Sequence, residues 1–133
     1  MHNWKLFIDD EREPVTDDWV VVRNSTDAII AVCEYGMPVE IAFDHDLGGD
    51  DTSIIFIKWL LNEMYDRRIE IPEGFKYTIH SQNPIGAENI RNKMDLLWMY
   101  HKGFKMTNPI GGQPLGNDFS KILRDNLWDL YEK

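Results

Sequence analysis

The stretch IAFDHDLGGDD, residues 41–51, is an apolar run of strand length that ends abruptly in carboxylates. A second stretch, LFIDDE at residues 6–11, has the same form, since its apolar residues run directly into Asp9 and Asp10. Short, continuous apolar runs bounded by turn residues are typical of strands buried on both faces of a parallel sheet. The two stretches therefore predict two core strands whose carboxyl ends carry acids.

Outward from these runs, strands and helices alternate along the chain. Apolar and β-branched runs predict strands, while N-capping residues followed by apolar residues at helical spacing predict helices. Such alternation is typical of an α/β domain with a parallel sheet. The predicted strands are 4–8, 19–22, 39–43, 75–80 and 104–107, and the predicted helices are 24–35, 50–68, 86–100 and 117–130.

The connection between the first two predicted strands is unusually short. Only residues 10–18 separate them, whereas a parallel crossover that contains a helix needs roughly a dozen residues or more. We therefore predict that the first helix is missing or reduced to a turn. The connection should be extended, be stiffened by Pro14, and form a rim of any site at the neighbouring strand ends.

The bulk composition predicts one folded domain over residues 1–133. Hydrophobic residues make up 43% of the chain and aromatic residues 12%, which is enough to supply a core. No apolar run reaches ~18 residues and the first five residues lack signal-peptide features, so we expect a cytoplasmic protein with no membrane contact. The single cysteine, Cys33, fits a reducing compartment. The net charge of -9 argues against bulk DNA binding.

Polar residues follow every predicted strand. In a parallel sheet the carboxyl ends of the strands lie at one edge, where ligands bind near the topological switch point. We therefore expect these residues to converge on a single site. They are Asp9-Asp10, Arg23-Asn24, Asp44-His45-Asp46, Ser81-Gln82-Asn83 and Asn108.

The acids among these residues predict a metal site. Several ionised carboxylates at one sheet edge repel one another unless a cation compensates them, and hard oxygen ligands suit Mg²⁺ or Mn²⁺. We predict Asp9, Asp10 and Asp44 as metal ligands or as acids beside them, with Asp46 as a further ligand. We interpret Asp50-Asp51 as helix caps.

Two histidines and one loop are candidates for the remaining chemistry. His45 and His80 fit either a structural, hydrogen-bonded role or proton transfer to a phosphoester oxygen, and His45 could alternatively be a metal ligand. Asp44 is a candidate nucleophile. The loop before the third predicted helix fits either phosphate binding at a helix N-terminus or a polar turn. Its residues are Ser81, Gln82 and Asn83, and Arg23 is a further candidate for gripping a phosphate.

The strings LFIDDE and IAFDHDLGGDDT, followed by Ser81 after the fourth strand, resemble the response-regulator receiver domain. The resemblance implies a three-layer, flavodoxin-like fold with a five-stranded parallel sheet in the order 2-1-3-4-5. It implies that Asp9 and Asp10 form the metal-binding acidic pair and that Asp44 is the phospho-acceptor position. It also implies that Ser81 is the Ser/Thr position, which makes Ser81 a candidate catalytic residue. Asn108-Pro109 stands where that family has Lys-Pro, so ordinary phospho-signalling is the weakest of the interpretations.

The fuller string FIDDEREP…FDHDLGGDDT…IHSQNPIGAENI resembles a divergent branch, the cyclic-phosphate processing receiver domains of bacteria and phages. That resemblance implies a metal-dependent phosphoesterase that acts on a phosphate-containing small molecule or an RNA end, in RNA repair or nucleotide signalling. The 2′,3′-cyclic end of an RNA and a cyclic nucleotide are both candidate substrates. The alternative is a non-catalytic receiver-like module that binds such a ligand or a protein partner.

Overall fold

Residues 3–107 are the part of the chain that the computed structural model describes, and they contain a four-stranded parallel sheet and three helices. The elements follow one another as strand, strand, and then helix and strand in alternation. The observed architecture confirms the predicted α/β class. The elements are β1 (Lys5–Ile8), β2 (Trp19–Val22), α1 (Ser25–Tyr35), β3 (Glu40–Phe43), α2 (Ser53–Tyr65), β4 (Lys76–Ile79) and α3 (Pro84–Thr107).

The strands lie in the order β2-β1-β3-β4, and every adjacent pair is parallel. The pairing continues beyond the strand ends, since the N–H of Asp9 donates to the carbonyl of Val22 at 3.2 Å and the N–H of Asp44 donates to that of Ile8 at 2.9 Å. The N–H of His80 donates to the carbonyl of Phe43 at 2.8 Å. The residues that follow β1, β3 and β4 are therefore neighbours at one edge of the sheet, as the strand predictions required.

The predicted fifth strand is wrong. Residues 104–107 are helical, because α3 continues through Gly103 to Thr107. A glycine inside a helix costs roughly 1 kcal/mol relative to alanine, which weakens a helix without ending it. The predicted order 2-1-3-4-5 thus holds for four strands. Asn108 and the last predicted helix at 117–130 lie outside the described residues, and the third layer and the single domain over 1–133 stay predictions.

The missing first helix is confirmed, since β2 is the element that follows β1 and α1 comes only after β2. A turn replaces it at the start of the connection. One carboxylate oxygen of Asp9 accepts the N–H groups of Glu11 and Arg12, both at 2.9 Å. An aspartate that bonds the backbone two or three residues further on favours a turn over a helix.

The core lies on one face of the sheet, against the three described helices. Alternate residues of the strands enter it, since Leu6 and Ile8 of β1 and Ile41 and Phe43 of β3 are completely buried in the core cluster. Phe7 and Ala42 alternate with these residues and so project from the opposite face. The helical residues of the cluster that are fully buried include Ala28, Phe56, Ile57, Leu60, Ile90, Met94 and Leu97.

The caps of α1 and α2 differ in part from the prediction. Asn24 caps α1 by accepting the N–H of Asp27, and Thr52 rather than Asp50 or Asp51 caps α2. The Asp51 carboxylate accepts the N–H of Ser25 at 2.8 Å, so it stabilises the first turn of α1 instead of its own helix. None of the helices in residues 3–107 has both the length and the apolar character needed to cross a membrane.

Candidate metal centre

Asp9, Asp10 and Asp44 meet at the carboxyl edge of the sheet. Each offers one carboxylate oxygen, and these oxygens all lie within 4.8 Å of one another. Ligands that sit 2.0–2.1 Å from Mg²⁺ are at most about 4.2 Å apart, so small side-chain rotations bring the group to binding distance. The residues present therefore fit a divalent cation. They meet because Asp9 and Asp10 follow β1 and Asp44 follows its neighbour β3.

Asp9 is the buried member of this group, with an exposed fraction of 1%. Burial alone would raise the pKa of its carboxyl, but the N–H groups of Arg12 and Glu11 and the imidazole of His80 outweigh it, so the pKa of Asp9 is lowered. Its Oδ2 atom lies 3.0 Å from Nε2 of His80. Asp9 is therefore ionised at neutral pH. Each carboxylate oxygen has two lone pairs. Oδ1 of Asp9 accepts the two N–H groups and Oδ2 accepts only His80, so Oδ2 can also bind a cation.

Asp44 has the opposite electrostatic setting. Burial raises the pKa of its carboxyl and the negative charge of Asp9 raises it further, while the N–H of His45 and the charges of His80 and Arg12 oppose the rise. The hydrogen bond from the His45 N–H to Oδ1 of Asp44 measures 2.9 Å. A second ionised carboxylate beside Asp9 is thus costly in the metal-free protein. A divalent cation between the two would remove that cost.

His80 is held from two sides. Its ring stacks on Phe7 with the ring centroids 4.8 Å apart and the planes 8° from parallel, and its Nε2 atom faces Asp9. An ionised carboxylate can only accept a hydrogen bond, so Nε2 of His80 carries the proton of this bond. The Arg12 guanidinium donates to the backbone carbonyl of His80 at 2.7 Å. The structure therefore brings His80 to the acidic group, as its position after β4 predicts.

His45 and Asp46 form a separate pair beside the acidic group. Nδ1 of His45 lies 3.0 Å from Oδ1 of Asp46, and Oδ2 of Asp46 accepts the side-chain amide of Asn83 at 3.3 Å. The bond from His45 is the largest cause that lowers the pKa of Asp46, and Asn83 adds to it. Among the described residues, the group of three carboxylates does not include Asp46. The role of Asp46 as a metal ligand stays a prediction.

Gly86, in the first turn of α3, packs directly against the His45 ring. A Cβ atom at position 86 would lie 2.4 Å from Cγ of His45, which is closer than real Cβ contacts come. Only a glycine allows the helix to approach the imidazole at this distance. The ring of His45 is therefore fixed between Asp46 and the start of α3. Sequence reasoning used Gly86 only as a helix opener and missed this contact.

The loop after β4 forms a capped helix start. The hydroxyl of Ser81 accepts the N–H of Asn83 at 3.0 Å, and the Asn83 side chain accepts the N–H of Gly86 at 3.0 Å. Asn83 is thus the N-cap of α3, with Pro84 at the first helical position. Gln82 is exposed. These contacts are those of a polar turn, and phosphate binding by Ser81, Gln82 and Asn83 stays a prediction.

Arg23 stabilises the β1–β2 connection. Its guanidinium donates to the backbone carbonyl of Asp9 at 3.1 Å and to that of Arg12 at 2.6 Å, and it pairs with the carboxylate of Glu13. Its predicted phosphate contact stays untested. Arg12, which the sequence reasoning did not single out, is a cation whose charge, with that of His80, acts on Asp44. The available signal was its position three residues after Asp9, in a turn that the Asp9 carboxylate forms.

An α/β fold with a parallel sheet, a group of three carboxylates at the carboxyl edge of that sheet and no helix after β1 is the architecture of a divergent receiver-like domain. A family model described as the cyclic-phosphate processing receiver domain matches residues 4–96, and the chain belongs to this family. The match confirms the resemblance seen in the sequence. It covers all four strands and the three clustered aspartates. Comparisons with curated proteins and with solved structures find no match.

Proposed function

We propose that this domain binds a cyclic phosphate through a divalent cation and hydrolyses it to a phosphomonoester. The observation that carries the proposal is the group of three carboxylates, Asp9, Asp10 and Asp44, in a chain of the cyclic-phosphate processing family. These residues would hold Mg²⁺ or Mn²⁺. When bound, the ion supplies a positive charge that polarises a phosphate oxygen.

Residues around the ion site would supply the proton transfer and the nucleophile. Asp9 accepts the Nε2–H of His80, so in the neutral imidazole the other ring nitrogen, Nδ1, would be the atom that accepts a proton. A water that attacks phosphorus would give its proton to this atom. The bond from phosphorus to one ribose oxygen then breaks, and that oxygen would take the proton that His80 received and become a hydroxyl. Asp44 is an alternative nucleophile that would form a transient acyl phosphate for water to hydrolyse.

The family match supports a cyclic phosphate as the substrate class. The 2′,3′-cyclic end of an RNA and a free cyclic nucleotide share a five- or six-membered phosphate ring with one unesterified negative charge. The Arg12 guanidinium, whose charge acts on Asp44, would attract such a charge together with a divalent cation. A role in RNA repair or in nucleotide signalling would follow from which of the two compounds is processed.

Hydrolysis assays with Asp44→Asn test the proposal. The substrates are a nucleoside 2′,3′-cyclic phosphate and a 3′,5′-cyclic phosphate, each with Mg²⁺ or Mn²⁺ and with EDTA. We expect the Asp44→Asn variant and the EDTA sample to lose activity by about 100-fold or more. The matched control is Asp50→Asn, the same change at an exposed acid outside the group of three, and it should keep full activity. An active Asp44→Asn variant would refute the proposal.

A non-catalytic binding module is the second candidate. The observation that favours it is the placement of His45, whose ring is hydrogen-bonded to Asp46 and packed on Gly86. A module of this kind would bind a cyclic phosphate or a protein partner and release the ligand unchanged. Metal-dependent binding of a cyclic phosphate that is recovered intact after overnight incubation would select this function over hydrolysis.

A further inference from the structure

A cavity of about 380 Å³ opens on the face of the sheet opposite the described helices, beside the acidic group. Aromatic and aliphatic side chains make up most of its wall, and a histidine and an arginine close it on the side of the ion site. Six of its lining residues carry the argument: Phe7, Arg12, Val15, Trp19, Thr78 and His80.

The short β1–β2 connection shapes this cavity. Residues 12–16 run along it in place of a helix and form one wall. The floor is the second face of the sheet, where Phe7 and Ala42 project away from the core. Trp19 meets Phe7 edge to face, with the ring centroids 5.9 Å apart. The extended rim that the sequence predicts therefore borders an aromatic cavity as well as the acidic site.

Two side chains belong to both the cavity and the acidic group. The His80 ring lies flat on Phe7 inside the cavity wall, while its Nε2 atom bonds Asp9 at 3.0 Å. Arg12 lines the cavity, and its charge acts on Asp44. The width of one imidazole thus separates the cavity from the carboxylates. A ligand whose phosphate lies at the acidic group would place the group attached to that phosphate at the cavity.

We propose that this cavity receives the nucleobase of a nucleotide whose cyclic phosphate lies at the acidic group. The inference rests on the proposed function and adds the chemical class of the substrate to it. Planar bases stack on aromatic side chains irrespective of sequence, and the part-exposed Trp19 provides such a side chain in the cavity wall. The volume lies at the small end of the range for ligand pockets, which suits a single base with its sugar. The Thr78 hydroxyl and the Arg12 guanidinium offer polar contacts to the base edge.

Calorimetric titration with Mn²⁺ present tests this by comparing two cyclic phosphates. One is adenosine 2′,3′-cyclic phosphate, and the other is glycerol 1,2-cyclic phosphate, which has no base. We expect the adenosine compound to bind the wild-type protein about tenfold or more tightly, the range that stacking of one base supplies. Filling the cavity with Thr78→Phe should remove this difference and leave binding of the glycerol compound unchanged. Trp19→Leu should reduce the difference without filling the cavity.

The control variant is Lys76→Phe, which adds the same ring to the same face of β4 outside the cavity. It should keep the wild-type preference, and circular dichroism should show all three variants folded. Since Thr78 is exposed on the outermost strand of the sheet described for residues 3–107 and phenylalanine favours strands, the Thr78→Phe change should leave the fold intact. Loss of the preference in Lys76→Phe would refute the cavity as the base site.

The outcomes separate this inference from the proposed function. Equal metal-dependent binding of both compounds by the wild-type protein would overturn the base site and leave the ion site standing. Binding of neither compound would overturn both. Binding of the adenosine compound that survives EDTA and Asp44→Asn but is lost in Thr78→Phe would support the base site and overturn the ion site. Adenosine 3′,5′-cyclic phosphate and a dinucleotide with a 2′,3′-cyclic end then show which source of the base binds more tightly.

Discussion

The Nε2 atom of His80 lies 3.0 Å from Oδ2 of Asp9, joining the end of β4 to the end of β1 across the intervening strand β3. Asp9 is almost completely buried, and its other oxygen binds the backbone at the start of the β1–β2 connection. One carboxylate therefore orients the imidazole, begins the turn and contributes to the ion site. Substitution of either residue should therefore affect both the activity and the local structure.

Replacing His80 by glutamine should separate proton transfer from positioning. The glutamine amide can still donate to Asp9, but it cannot take a proton from water. We expect His80→Gln to lower the hydrolysis rate by about 10²–10⁴-fold while Mn²⁺ binding, measured by calorimetry, stays close to that of the wild-type protein. A variant that hydrolyses cyclic phosphates at the wild-type rate would exclude His80 from proton transfer.

Asp44→Asn should stabilise the metal-free protein and destroy its response to metal. Burial and the charge of Asp9 disfavour the ionised Asp44 carboxyl, so a neutral asparagine removes an unfavourable electrostatic interaction from the folded protein. In EDTA we expect a higher Tm for this variant than for the wild-type protein. Added Mn²⁺ should raise the Tm of the wild-type protein and of Asp50→Asn but not that of Asp44→Asn. A lower Tm for Asp44→Asn in EDTA would contradict this electrostatic reading.

The carboxyls of Asp9 and Asp44 should titrate in a defined order in the metal-free protein. The pKa of Asp44 is raised and that of Asp9 is lowered. As the pH falls, Asp44 should take its proton first, which removes its cost to folding. Asp9 stabilises the fold at pH values above its unfolded pKa, and this contribution is lost as the pH falls through its lower folded pKa. Carbon-13 chemical shifts of the two carboxyls measure the order, and the reverse order would contradict it.

Gly86→Ala should destabilise the contact between α3 and His45. The added Cβ would lie 2.4 Å from the ring, and overpacking of this kind costs about 1–3 kcal/mol. Urea denaturation should show the loss. In the double variant with His45→Ala the clash is absent, so the Gly86→Ala change should there be neutral or stabilising, since alanine favours helices. Additive losses in the double variant would show that the ring contact is not the cause.

Asp51→Asn should weaken the link between the loop before α2 and the first turn of α1. The Asp51 carboxylate accepts both the N–H and the hydroxyl of Ser25, and losing such charged capping bonds costs about 1–2 kcal/mol. Denaturant unfolding measures the change, with Asp50→Asn as the neutral control. Metal binding should be unaffected, because Asp51 is outside the carboxylate group.

Much of the sheet could be predicted from the sequence because its strands are short, apolar and punctuated by polar residues. The order of β1 to β4 followed from the family resemblance, and the missing first helix followed from the short connection between the first two strands. The fifth strand failed because four residues carry too little local preference to compete with an adjoining helix that gains one hydrogen bond for each added residue. The phosphate-binding roles of Arg23, Ser81 and Asn83 rested on position and stay predictions, because position alone does not show where a side chain finds its partners.

By itself, the sequence determined that Asp9, Asp10 and Asp44 would share one edge, because parallel strands end together and each acid directly follows a strand. Only the tertiary structure decided which neighbouring polar residues join them. Asp46 is two residues from Asp44, yet His45 and Asn83 hold its carboxylate elsewhere. His80 is far away in the chain, yet it bonds Asp9 because β4 lies beside β3. The direction of each side chain depends on contacts between elements, and these contacts exist only once the helices have packed on the sheet.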